Sequence, residues 1–132
     1  MIKLYSSYSS SSSNKARQWL INHRLEFIEI RIGSHLLRKS ELQHILSLTE
    51  SGTHDIISTH CIKYGNLASE LDELSLNQLI CMVNKNPSLL KRPLILDGLK
   101  LQIGFNEDQI RKFLPKDFRV VEKEIFLKRL DS

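Results

Sequence analysis

Seven serines, Ser6, Ser7 and Ser9 to Ser13, crowd the stretch between an apolar run, Ile2 to Tyr5, and a segment with Ala16, Trp19 and Leu20 at helical spacing. A strand feeding a short turn and then a helix leaves backbone N–H groups at the helix start without intrahelical partners. At such a turn a protein can present a nucleophile, acidify a thiol or hold an anion. Here the turn carries hydroxyls only. They suit capping, and Ser12 or Ser13 is the expected N-cap of a helix over 14–23 with Lys15 and Arg17 on its solvent face.

The other reactive residue types form no comparable pattern. His23, His35, His44, His54 and His60 lack the spacing of a metal-ligand pair on one helix, so no metal and no cofactor is expected. Cys61 and Cys81 lie in helical-looking segments with no zinc-like neighbourhood, and the expectation is a reduced compartment, the cytoplasm. Gly52 suits the residue just past a helix end, where φ is positive, or the turn beyond it.

The elements that must position these residues read as follows. Ile2 to Tyr5 and Leu25 to Arg31 are strands joined by the first helix, a parallel βαβ unit. Leu42, Ile45, Leu46 and Leu48 mark a helix over 39–49. Short helical pieces are expected over 55–59 and 66–74. Ser75 and Gln78 form a capping box for a helix that Asn86-Pro87 stops. Two alternating runs around Asp97-Gly98 predict a hairpin. Asn106-Glu107-Asp108 caps a further helix ending at Leu114-Pro115, and Val120 to Leu130 reads as a charged amphipathic helix. The result is one α/β domain over 1–132, a thioredoxin-like mixed sheet of about four strands. Its thioredoxin-like parts are 1–33 and 88–132, and a helical insertion fills 34–87.

Composition sets the outer bounds. With 132 residues, 41% hydrophobic and 26% charged, the chain suits one soluble domain with a real core. No apolar run is long enough to span a membrane. The formal charge of +4 favours an anionic partner only mildly.

Three stretches carry a resemblance. They are Glu50-Ser51-Gly52-Thr53-His54-Asp55-Ile56-Ile57-Ser58-Thr59, Leu89-Leu90-Lys91-Arg92-Pro93-Leu94-Ile95-Leu96-Asp97, and the run from Leu101 to Pro115. They resemble the Spx family of redox-sensing transcriptional regulators, in the arsenate-reductase-like (ArsC) branch of the thioredoxin fold, with a match from Met1 to about Arg119. The resemblance implies a protein without catalytic turnover. It would bind the C-terminal domain of the RNA polymerase α subunit, redirect transcription under thiol stress and block activators that need the same surface.

Carried over by position, the family's α-contact glycine is Gly52 and its redox Cys-x-x-Cys pair falls on Ser10 and Ser13. Retention of Cys61 and Cys81 fits an exchange directed at those two positions better than loss in a natural paralogue, and the codons of the source gene would decide. The resemblance also brings Arg92, before a proline that is commonly cis in such folds, near the first helix, where it can hold an anion. The plainer alternative is a surface arginine paired with a carboxylate. His60, in place of a basic residue of the family, and Lys63 are candidates to face promoter DNA beside Gly52, together with Arg38. The tail Arg129-Leu130-Asp131-Ser132 departs from the end read by an ATP-dependent protease and its adaptor, which puts that partnership in doubt. Two rival functions stay open: an arsenate-reductase-like thiol oxidoreductase, and a redox-inert competitor for polymerase.

Overall fold

The computed structural model describes residues 1–58 and 73–115. Most of the expected segment over 66–74, all of that over 120–130, and His60, Cys61 and Lys63 lie outside the described residues.

Four strands form one mixed sheet in the order β2-β1-β3-β4: β1 (Ile2–Ser6), β2 (Phe27–Arg31), β3 (Leu94–Asp97) and β4 (Lys100–Ile103). β1 pairs parallel with β2 and antiparallel with β3, which pairs antiparallel with β4. The two-residue side-chain period divides the core between the faces of this sheet. Leu4 and its partner Ile95 pack under α1 (Ser11–Asn22), against Ala16, Trp19, Leu20 and Phe113. Tyr5, Leu94 and Leu96 turn the other way, against Leu42, Ile45, Ile57 and Val83.

Helix α1 begins three residues earlier than its apolar spacing predicts. Ser10, in an extended conformation, is the N-cap, and its Oγ accepts the Ser13 N–H at 3.1 Å. The alternatives Ser12 and Ser13 fail because Ser13 is wholly buried and its hydroxyl is used elsewhere: it accepts the Ser7 N–H at 3.2 Å. Arg17 does not face solvent freely either, since it reaches across to Glu29 of β2. At the other end, Leu25 N–H bonds Leu20 O at 3.1 Å and Arg24 N–H bonds Ile21 O at 3.0 Å. This is a Schellman ending whose left-handed residue is Arg24, at φ 55°, where glycine is usual. Arg24→Gly is therefore expected to stabilise the fold by about 1 kcal/mol, read as a higher urea midpoint at unchanged slope.

Helix α2 (Lys39–Ser47) starts at Arg38 with half a capping box. Glu41 Oε1 accepts the Arg38 N–H at 3.1 Å, whereas an arginine side chain has no acceptor to return the bond. Gly52 is not the residue ending this helix. Leu48 caps it, and Gly52, at φ 74° and ψ −134°, is the N-cap of the short helix α3 (Thr53–Ile56). Helix α4 (Leu76–Lys85) has both arms of the expected box: Gln78 N–H to Ser75 Oγ at 3.2 Å, and Ser75 N–H to Gln78 Oε1 at 2.9 Å. It ends before Asn86-Pro87, and Pro87 opens a 3₁₀ turn, Pro87–Leu89.

Two ties bind these helices to the sheet side. Ile57 bridges Leu90, with Lys91 N–H on Ile56 O at 2.7 Å and Ser58 N–H on Leu89 O at 2.6 Å. The Asn84 amide clamps the backbone of Leu37 as a strand would, accepting its N–H at 2.9 Å and donating to its carbonyl at 3.0 Å. Asn84→Ala orphans both groups beside a buried leucine. It is expected to cost about 2 kcal/mol, checked by urea unfolding against Asn84→Asp, which keeps the acceptor arm.

The hairpin forms one residue later than its Asp97-Gly98 signal implies. Asp97 pairs with Lys100, so Gly98 and Leu99 make the turn, with the positive φ of 60° at Gly98. That is the arrangement in which glycine takes the first central position. The helix expected after Asn106 is a 3₁₀ turn, Gln109–Phe113, whose start Asn106 caps by accepting the Asp108 and Gln109 N–H groups at 3.0 Å each.

Candidate functional site

The serine turn is built and satisfied. Ser10 caps α1, Ser13 is sealed beneath the loop, and the Ser7 and Ser9 hydroxyls bond each other at 3.1 Å. A hydroxyl has neither the acidity nor the two-electron redox chemistry of a thiol, so positions 10 and 13 do structural work and cannot form a disulfide. The free thiol among the described residues is that of Cys81, exposed on α4. No group of three potential metal ligands occurs among the described residues, and no described helix is long and apolar enough to cross a membrane.

Beside this turn, the Arg92-Pro93 peptide bond is cis. Arg92 pairs with no carboxylate among the described residues. Its Nη2 donates to Pro87 O at 2.8 Å and to Leu90 O at 3.4 Å, and its Nε also meets Leu90 O at 3.4 Å. Burial lowers its pKa. Arg92 still shares an open cleft of about 600 Å³ with Ser12, Ser58, Ser88 and Lys91, so guanidinium, ammonium, hydroxyls and the first turn of α1 line one space. An anion entering it would have to compete with the carbonyls that hold the guanidinium.

Gly52 sits on a different part of the surface. Its loop is held from below by the Asp55 carboxylate, which accepts the Glu50 and Ser51 N–H groups at 3.0 and 2.9 Å. A Cβ built on Gly52 would meet nothing within 4 Å among the described residues. Within them, glycine is needed here for its backbone conformation and not for packing inside the fold. Arg38, expected to join a basic face with His60 and Lys63, has its Nε 3.3 Å from Glu41.

Sequence reasoning missed the polar network that anchors α2 to the sheet. Glu41 has a side chain only 8% exposed and gathers the Tyr5 hydroxyl at 2.8 Å, His35 Nε2 at 3.1 Å, and the Arg38 backbone and guanidinium. Burial would raise the Glu41 pKa, but the hydrogen bonds from His35, Tyr5 and Arg38 outweigh it and hold the carboxyl at about 2. Tyr5 is pushed up strongly, first by burial and then by its bond to Glu41. The signal available was Glu41 at the third position of α2, but nothing local indicated that a tyrosine 36 residues away would meet it.

Comparison with known proteins agrees with this architecture. The ArsC family model matches residues 5–113. Proteins named global transcriptional regulator Spx are 52% identical over 122 residues in Streptococcus agalactiae serotype V, covering 92% of this chain and 89% of that one. The Streptococcus pneumoniae R6 protein of the same name is 47% identical, covering 92% of each chain. Among solved structures, a Staphylococcus aureus COL protein superposes with a TM-score of 0.70 at 29% identity, covering 85% of this chain and 97% of its own. An arsenate reductase from Vibrio cholerae reaches 0.69 at 20% identity, covering 86% and 97%, a likeness of fold alone. With the cis-proline strand, the α1 turn and the mixed sheet in place, this chain belongs to the ArsC family, in its Spx branch.

Proposed function

We propose that this chain is a transcriptional regulator that docks on the C-terminal domain of the RNA polymerase α subunit through the loop around Gly52, with no redox switch of its own at positions 10 and 13. One observation carries the docking surface: Gly52 has open space where a side chain would stand, on a loop whose backbone Asp55 holds in place. A partner backbone can approach such a point closely, and any side chain there would intrude into the contact. The names of relatives about half identical to this chain support the regulatory role.

The remaining parts fit around this contact. His60 and Lys63 would touch promoter DNA only once the polymerase domain is docked, because a few phosphate contacts bind weakly at physiological salt. Arg92 would steady the α1 turn through an anion in the cleft it shares with Ser12. An ATP-dependent protease remains a candidate partner through the C-terminal tail. Reduction of arsenate through this turn is disfavoured because it requires a thiolate where Ser10 and Ser13 stand.

The test is equilibrium binding to the isolated α-subunit domain, followed by transcription in vitro from a thiol-stress promoter. Binding without activation would leave a competitor for polymerase, and absence of binding would end the proposal. Diamide or peroxide is expected to leave the promoter response unchanged in this chain. In the Ser10→Cys, Ser13→Cys double variant the same response should become oxidant-dependent and reversible by dithiothreitol.

A further inference from the structure

A second charged cluster lies at the open edge of the sheet, formed by residues that the docking surface and the Ser12–Arg92 cleft do not use. The register Leu4↔Glu29 and Ser6↔Arg31 places Glu29 and Arg31 on the α1 side of β2. Glu29 accepts the Ser6 hydroxyl at 3.0 Å and Arg17 Nε, and its other oxygen forms an ion pair with Arg31 Nη2 at 3.1 Å. Two guanidiniums thus share one carboxylate, and the cluster keeps a net positive charge.

Its hydrogen bonding is incomplete in the same sense. Arg17 Nη1 donates to Asn14 Oδ1 at 2.7 Å, but Arg17 Nη2 and Arg31 Nη1 are both buried with no acceptor among the described residues. Buried guanidinium N–H groups without acceptors are costly, and the planar fork of arginine matches the oxygens of a phosphate. Over Arg31 lies Tyr8, its ring centroid 3.3 Å from the guanidinium carbon. Tyr8 is 74% exposed, so little besides this stack covers it. It can swing outward without opening the core.

We propose that Arg17 and Arg31 form a phosphate-binding site covered by Tyr8, taking free phosphate or the phosphate of a small monoester. The ligand would accept from Arg17 Nη2 and Arg31 Nη1 while Glu29 keeps its present bonds, neutralising the excess charge. Tyr8 would leave its stack to admit it, which links occupancy of the site to the conformation of the loop that leads into the Ser10 cap.

Calorimetric titration of the whole chain at constant ionic strength tests this, with inorganic phosphate and adenosine 5′-monophosphate as separate probes. Phosphate is expected to bind at millimolar concentration, about tenfold or more weaker in Arg31→Gln and a few-fold tighter in Tyr8→Ala. In an Arg92→Ala background, which removes the separate cleft beside Ser12 as a source of anion binding, the Arg31-dependent binding should persist. Equal affinity for both probes identifies the free anion as sufficient, and tighter nucleotide binding identifies a monoester. If Arg31→Gln does not fold, Arg31→Lys serves in its place, keeping the charge and losing the fork. Undiminished binding in the folded Arg31 variant, loss of the Arg31-dependent binding in Arg92→Ala, or no binding by either the unsubstituted chain or Tyr8→Ala would each overturn the site.

Discussion

Gly52→Arg is expected to abolish measurable binding to the α-subunit domain while leaving the protein folded. A Cβ at position 52 meets no described atom within 4 Å, so the added side chain leaves the surface without displacing its described neighbours at its root. The backbone is another matter. At φ 74° and ψ −134° a residue with a Cβ is strained, and about 1–2 kcal/mol of stability should be lost locally. Placed centrally in an interface, a bulky charged intrusion costs more than that, commonly about 2 kcal/mol or more, a thirtyfold or greater loss of affinity. Two further variants separate strain from bulk. Gly52→Ala carries most of the strain with little volume. Ser51→Arg, at an exposed neighbouring position, adds the volume without the positive φ. If the contact is as proposed, Gly52→Arg loses binding far beyond Gly52→Ala. Equal losses for those two would make Gly52 a conformational requirement of the loop only. Normal binding by a folded Gly52→Arg would remove the docking surface altogether.

The second large effect concerns Glu41. Its carboxyl is held at about 2, below the ordinary value of 4.5 for glutamate, so the folded state favours the ionised form. A depressed folded pKa adds stability that is fully present above about pH 4.5 and is lost as pH falls toward 2. Discounted for partial solvation, the contribution is about 2 kcal/mol. Acid titration of the urea midpoint should show this loss, and Glu41→Gln should flatten it within that window. At neutral pH, Glu41→Ala should be costlier, about 3 kcal/mol, because it leaves the buried Tyr5 hydroxyl without its acceptor. A Tyr5→Phe, Glu41→Ala double variant should recover part of that loss, since no orphaned hydroxyl then remains. An unchanged acid slope in Glu41→Gln would assign the acid sensitivity to other carboxylates.

These two residues differ in how far they could be read from the chain. Gly52 was marked by its motif and by the need for a positive φ, with the helix end and the turn beyond it both open, and the packing of α2 and α3 places it in the turn. Glu41 was legible only as a helix-start acid. Its partners Tyr5 and His35 come from a strand and a loop, and contacts of that kind leave no periodic trace in the sequence.

The same division runs through the fold. Local signals determined the elements: the two-residue period of the strands, Ala16, Trp19 and Leu20 on one face of α1, and the Ser75–Gln78 box. Each depends on interactions within one turn or one strand. The errors fell where a local rule admits several neighbours of the same type. In the serine run Ser9 to Ser13 several hydroxyls can cap a helix, and Ser10 does so because burial turns Ser13 inward to the Ser7 N–H. Around the hairpin, cross-strand register moved the turn by one residue to Gly98-Leu99. Arg17 looked like a solvated charge and Arg31 like the end of a strand, and only the parallel pairing of β1 with β2 beneath α1 gathers both around Glu29. The sequence by itself thus determined most of the described elements and that the α1 turn has no sulfur chemistry, because those follow from residue type and short-range spacing. Tertiary structure alone decided which serine caps, which carboxylate is buried and which arginines share a partner, because each depends on what packing removes from water.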